Sequence, residues 1–124
     1  MTAKQAICAA EAMNPDQFSD AEKLGWLSDL DGQIRVDILE GLEGCPEGDF
    51  TPYGEQDADS RQLLVPAPYA GELYPAYLIM RGAFYNNEST RYDNAMAVYN
   101  NALASFQGWW TRTHRPARRA QWRI

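Results

Sequence analysis

The stretch that decides the architecture is Leu63–Trp110, LLVPAPYAGELYPAYLIMRGAFYNNESTRYDNAMAVYNNALASFQGWW. It reads as a short extended entry, a helix, a tight polar break and a longer helix, the core of an αα-hairpin. In the second half, Tyr92, Met96, Tyr99, Leu103, Phe106 and Trp110 follow one another at spacings of four, three, four, three and four. Residues so spaced share one helix face, which predicts a buried seam. The partner helix, from Glu72 to about Tyr85, carries two adjoining apolar rows: Leu73, Tyr77, Met80 and Phe84, and Tyr74, Leu78 and Tyr85. A helix apolar around more than half its girth is expected to be covered on two sides.

The flanks of these helices follow from local chemistry. Leu63, Leu64 and Val65 form an extended plug into the core, and Pro66 and Pro68 keep the chain extended towards the helix. Pro75 is expected in that helix's first turn, where its missing N–H costs least. The break Asn86-Asn87-Glu88-Ser89 reverses direction, with Ser89 or Asn87 as the N-cap of the last helix.

Upstream, residues 3–13 predict a short helix with Ala6, Ile7, Ala10 and Met13 inward, stopped at Asn14-Pro15 because a residue before proline is pushed out of the helical region. Ser19 and Glu22 form a capping box that opens a long helix, with Phe18 and Lys23 flanking its entry. That helix is expected to run to about Leu42. Leu24, Leu27, Leu30 or Asp31, Ile34 and Ile38 take one side, and Glu22, Asp29, Arg35, Asp37 and Glu40 lie elsewhere. Gly25 and Gly32 inside it favour close approach of a neighbouring helix over simple tolerated weakness. From Glu43 to Gln62 periodicity is lost among glycines, prolines and acids, with Arg61 the single base, which predicts a long acidic loop with a short hairpin around Phe50–Tyr53.

The 124 residues, 45% hydrophobic and 12% aromatic, suffice for one packed domain. No run approaches eighteen apolar residues and the N-terminus lacks the order of a signal peptide, so a soluble protein with no membrane contact is expected. Cys8 and Cys45 stand far apart without metal-like spacing, so reduced thiols are expected. The net charge of -6 hides an asymmetry, since all 17 acids precede residue 94 while five of the 11 basic residues follow residue 111. The expected fold is mainly α: a small bundle of about four helices over residues 1–111, a long acidic loop, and an extended basic arm over 112–124.

Nothing in the sequence assembles a catalyst. His114, the only histidine, lies among arginines without a base-orienting partner, so no enzyme and no cofactor are expected. Asp29 with Asp31, and Asp57 with Asp59, read as solvated acids, because residues two apart on a helix diverge and the second pair lacks the rest of a calcium loop. The glycines at 41, 44 and 48 lack the context of a phosphate loop. The aromatic series Tyr74, Tyr77, Phe84, Tyr85, Tyr92, Tyr99 and Phe106 reads as core at helical spacing. Only the arm calls for a partner. Arg112, Arg115, Arg118, Arg119 and Arg123 offer forked donors, Trp122 is an interface anchor, and thirteen extended residues reach up to about 40 Å.

The opening NPDQFSDAEKLGWLSDLDGQI, the entry LLVPAPYAGELYPAYL and the hairpin segment RYDNAMAVYNNALASFQGWW together resemble the head-tail connector (adaptor or neck) proteins of long-tailed bacteriophages. The resemblance covers most of the chain and lies in packing and capping patterns. The acidic loop is longer than in that family's pattern, and the arginine arm is not part of it. The resemblance implies a helical bundle that assembles as a ring, usually twelvefold, beneath the portal protein in the virion neck. The ring extends the DNA channel and meets the next neck or tail-completion protein, with assembly in the host cytoplasm. Genomic DNA would pass through without sequence-specific binding, past an acidic lumen that repels it. It also implies that the C-terminal segment docks on the portal. Two other readings stand beside it: a stopper or tail-completion protein of the same neck, and a small DNA-binding protein that neutralises phosphates with its arm.

Overall fold

A computed structural model describes residues 1–116. The chain folds as a small helical bundle. Helix α1 spans Ala3–Met13, α2 Asp20–Ile34, α3 Ala70–Tyr85 and α4 Ser89–Thr113. Among the described residues there is no strand, only two isolated antiparallel bridges, Thr2 with Gln62 and Leu42 with Pro116. Helix α3 is the axis of the bundle, packed along α4 on one side and against α1 and α2 on the other. Its middle turns, Leu73 to Leu78, are therefore buried all round, as its apolar girth requires.

Local sequence sets most helix ends. The Ser19–Glu22 capping box forms at the start of α2, and a second box, Thr2 with Gln5, starts α1. Each satisfies two of the N–H groups that a helix start leaves without partners. Helix α2 ends earlier than its periodicity suggests. From Arg35 to Leu39 it widens into one π-helical turn, in which the Glu40 N–H donates to the Arg35 carbonyl at 2.9 Å. Gly41 follows in the left-handed region at φ 91°, which turns the chain out of the helix.

Several expectations change once the elements pack. Met13 is 62% exposed, because α1 overhangs the bundle at its end. Helix α3 starts two residues before Glu72, so Pro75 lies beyond its first turn, buried. Residues 66–69 form a turn, with the Tyr69 N–H donating to the Pro66 carbonyl at 3.1 Å, instead of an extended run. Neither Ser89 nor Asn87 caps α4: Glu88 holds that position without a side-chain cap bond, and Asn87 takes the left-handed φ of 57° that reverses the chain. The loop forms no hairpin near Phe50. Instead Phe50 and Tyr53 pack edge to face at 5.6 Å, and Phe50 covers Gly32, whose bare Cα receives a loop ring and not a helix. Nothing approaches Gly25.

The seam on α4 is only partly closed. Phe106 and Trp110 are buried, while Tyr92, Met96, Tyr99 and Leu103 are half-buried, and the other buried residues of α4 are Ala95 and Ala102. Tyr74 and Tyr77 are buried as expected, but Phe84 is 61% exposed. The α1–α2 connection reaches the α3–α4 turn, with Gln17 bonded to Asn86 at 2.8 Å and Phe18 packed on Tyr85, but it leaves Phe84 exposed. Helix α4 also runs beyond residue 111 to Thr113, so Arg112 belongs to the bundle and not to an arm.

Candidate partner-binding surface

The polar centre of the molecule is structural. Asp31, expected among the solvated acids, is fully buried, whereas Asp29 is exposed. Its Oδ2 accepts from the Tyr53 hydroxyl at 2.5 Å and the Leu64 N–H at 3.0 Å, and its Oδ1 from the Tyr74 hydroxyl at 2.7 Å. The Tyr74 oxygen in turn accepts from the Val65 N–H at 2.9 Å, and the Tyr53 N–H donates to Ser28 Oγ at 2.9 Å. One carboxylate thus fastens the end of the long loop to α2 and α3. Burial pushes the Asp31 carboxyl above its ordinary range, despite the lowering effect of the tyrosine and backbone bonds. Burial and the neighbouring Asp31 charge raise both tyrosine hydroxyls, so they remain donors at any ordinary pH.

Two more buried charges do the same work elsewhere. Lys23 pairs with Glu11 and Asp16, both at 2.9 Å, tying the α1–α2 connection to α2. Burial works to lower its ammonium, but the two carboxylates prevail and hold it above the ordinary value. Arg35, expected off the buried side, is buried and donates to the carbonyls of Pro46, at 2.7 Å, and Gly48, clasping the first half of the acidic loop. Periodicity leaves Arg35 off the inward side and admits Asp31 there only as an alternative to Leu30, since a polar residue reads as solvent-facing until a loop folds over it.

The root of the C-terminal segment is fixed. The His114 ring stacks on Trp110 with centroids 3.5 Å apart and 18° between planes. Gly44 sits against both rings at φ 98°, and a Cβ there would meet His114 at 2.7 Å. The Glu43 N–H donates to the Arg115 carbonyl at 2.7 Å, and Pro116 bridges to Leu42. Of the arm residues singled out from sequence, Arg112 and Arg115 are exposed at this root. Arg118, Arg119, Trp122 and Arg123 lie outside the described residues.

The surface that sequence reasoning missed lies at the other end of the hairpin. A trough of about 720 Å³ opens between the end of α1, α3 and the first half of α4, with Met13, Ala76, Ile79, Ala95 and Val98 along it. Glu72, Glu88 and Arg91 stand at its rim, the last two paired at 3.0 Å. It continues past Glu88 and Ser89 into a smaller hollow beside Phe84, Tyr85 and Tyr92. Among the described residues, four of the five large apolar side chains that stand exposed, Met13, Phe84, Tyr85 and Val98, border these two hollows. Tyr85 is held in place, stacked on Trp26 at 5.6 Å and accepting from Arg81 at 2.9 Å. A contiguous apolar surface with a polar rim marks an interaction site.

Among the described residues no group of three or more His, Cys, Asp or Glu is placed to hold a metal ion, and no helix is long and apolar enough to cross a membrane. The chain matches no protein-family model, no curated protein and no solved structure.

Proposed function

We propose that this chain is a structural protein of phage assembly, a head-tail connector that forms a ring beneath the portal, extends the DNA channel and joins the capsid to the tail. The observation that carries the reading is the uncovered apolar surface at the hairpin end, on a body whose buried charges are all consumed in holding its own loops. A surface of this kind is typical of a contact with another chain. In a closed ring each subunit offers two different faces, so a trough on one end and a basic segment leaving the other suit head-to-tail contacts. The acidic remainder of the chain suits a channel past which DNA slides, and it weighs against retention of DNA by the folded body. The resemblance described above supplies the portal and the next neck component as partners.

The test is the mass of the purified protein in solution, with and without residues 117–124, together with capture of the full chain by the portal of the same phage. Truncation there leaves the His114–Trp110–Gly44 root intact. Rings or portal capture support the connector. A monomer that ignores the portal and retains duplex DNA, with affinity falling steeply as salt rises, identifies a DNA-binding protein instead.

A further inference from the structure

We infer that the trough between α1, α3 and α4 is the seat of Trp122 and its flanking arginines from a neighbouring copy of this chain. The inference rests on the assembly reading above and names the contact that closes it.

Three observations select this occupant. The first is chemical fit. The trough is apolar along Ala76, Ile79, Ala95 and Val98, with Glu72 and Glu88 at its rim, while residues 117–124 carry one indole among Arg118, Arg119 and Arg123. Indole in an apolar pocket with arginines on rim carboxylates is a common anchor chemistry. Arg91, the opposing charge at the rim, pairs with Glu88 at 3.0 Å, so Glu72 is the rim carboxylate with no ion pair among the described residues.

The second observation is reach. The root pins Pro116 to Leu42 and holds His114 against Trp110. Ala95, in the middle of the trough, lies fifteen residues before Trp110, about 22 Å along the helix axis at 1.5 Å per residue. From Pro116 to Trp122 is six residues, at most about 22 Å fully extended. The path must also go around α4. The groove where α2 meets α4 uses Tyr99, Leu103 and Gln107, and the trough uses Arg91, Ala95 and Val98, a different flank. Trp122 therefore reaches the middle of its own subunit's trough only at full extension and without the detour around α4, whereas a neighbour's trough sets no such limit.

The third is topology. A knob at one end and a hole at the other make a heterologous contact, which repeats from subunit to subunit until the rotation closes. The resemblance gives the segment to the portal, whereas the trough gives it a seat within the ring.

The test uses full-length chains and sedimentation velocity. Trp122→Ala removes the knob. Val98→Arg blocks the hole at a position 45% exposed, so folding is not at stake, and Met13→Arg, at 62% exposure, is the independent second block. The wild type is expected to associate beyond a dimer, each variant alone to lose association about tenfold or more, and Val98→Arg mixed with Trp122→Ala to give a one-to-one heterodimer that grows no further. Only a trans knob-in-hole contact makes two defective chains complement in this way. A mixture that stays monomeric while the wild type associates overturns the inference. So does a wild type that never self-associates but captures the portal through residues 117–124, which leaves the connector reading standing. Failure of both self-association and portal capture overturns the two together.

Discussion

The two ends of α3 are built from similar residues and meet opposite fates. In its first half, Leu73, Tyr74 and Leu78 are no more than 1% exposed, and the Tyr74 hydroxyl bonds to a buried carboxylate. In its last turn, Phe84 and Tyr85 are 61% and 51% exposed. What separates them is not composition but what folds over them. The loop end at Leu63–Val65 and the Asp31 turn of α2 converge on the first half, where three donors meet the Asp31 carboxylate. The last turn is met on one side by Phe18 and Trp26, which pack on Tyr85, and its Phe84 side is left exposed, as is Met13 of α1. An apolar residue kept on such a surface is available to another chain.

The comparison breaks hardest at Asp31. Asp31→Ala leaves the Tyr53 and Tyr74 hydroxyls and the Leu64 N–H without their buried acceptor, and is expected to cost about 3 kcal/mol or more in urea unfolding. A loss below about 1 kcal/mol would show that water replaces the carboxylate, and the core would not be the closed centre described above. Tyr53→Phe removes one of those bonds and leaves Asp31 two donors. Its expected cost is about 1–2 kcal/mol, with faster amide exchange confined to residues 50–64. Exchange that quickens equally in α4 would mean that the loop is not a separate unit fastened at this point.

A smaller effect appears as a slope. Burial raises the Asp31 carboxyl above its unfolded value, so the folded chain binds that proton more tightly than the unfolded chain. The stabilisation from this group is complete below the ordinary carboxylate range and is lost as pH rises through the raised folded value. Unfolding free energies measured across that window for the wild type and Asp31→Asn should differ by a term that falls with rising pH. A difference that grows instead would mean that the three donors outweigh burial. The smallest effect sharpens the other end. Phe84→Ser is expected to change stability by no more than about 0.5 kcal/mol, as at ordinary surface positions. A loss of several times that amount would show that Phe84 packs internally and that the hairpin end is no free surface.

Much of the fold is legible along the chain because it rests on near-neighbour chemistry. The Ser19–Glu22 box, the stop at Asn14-Pro15 and the periodicity of Leu24, Leu27, Ile34 and Ile38 each act within a turn or two of helix, so reading them in order suffices. The hairpin of α3 and α4 follows in the same way from its apolar rows. The candidate surface was only half legible: the arginine-rich segment stands out by composition, but the trough does not. Periodicity assigns Met13 and Phe84 to a core because it records which residues share a helix face, not whether any element lies opposite that face. For the same reason Arg35 reads as solvent-facing, and Asp31 reads as a solvated acid although its spacing from Leu27 and Ile34 admits it to the inward side. A charge enters the interior only when donors or acceptors distant in sequence arrive to meet it, here Tyr53, Leu64 and Tyr74 for the acid and the Pro46 and Gly48 carbonyls for the base. The sequence by itself determined the helices, their inward faces and the basic segment. Only the tertiary structure decided which inward faces were covered, because burial depends on the path of the long loop, and that path is set by contacts tens of residues apart.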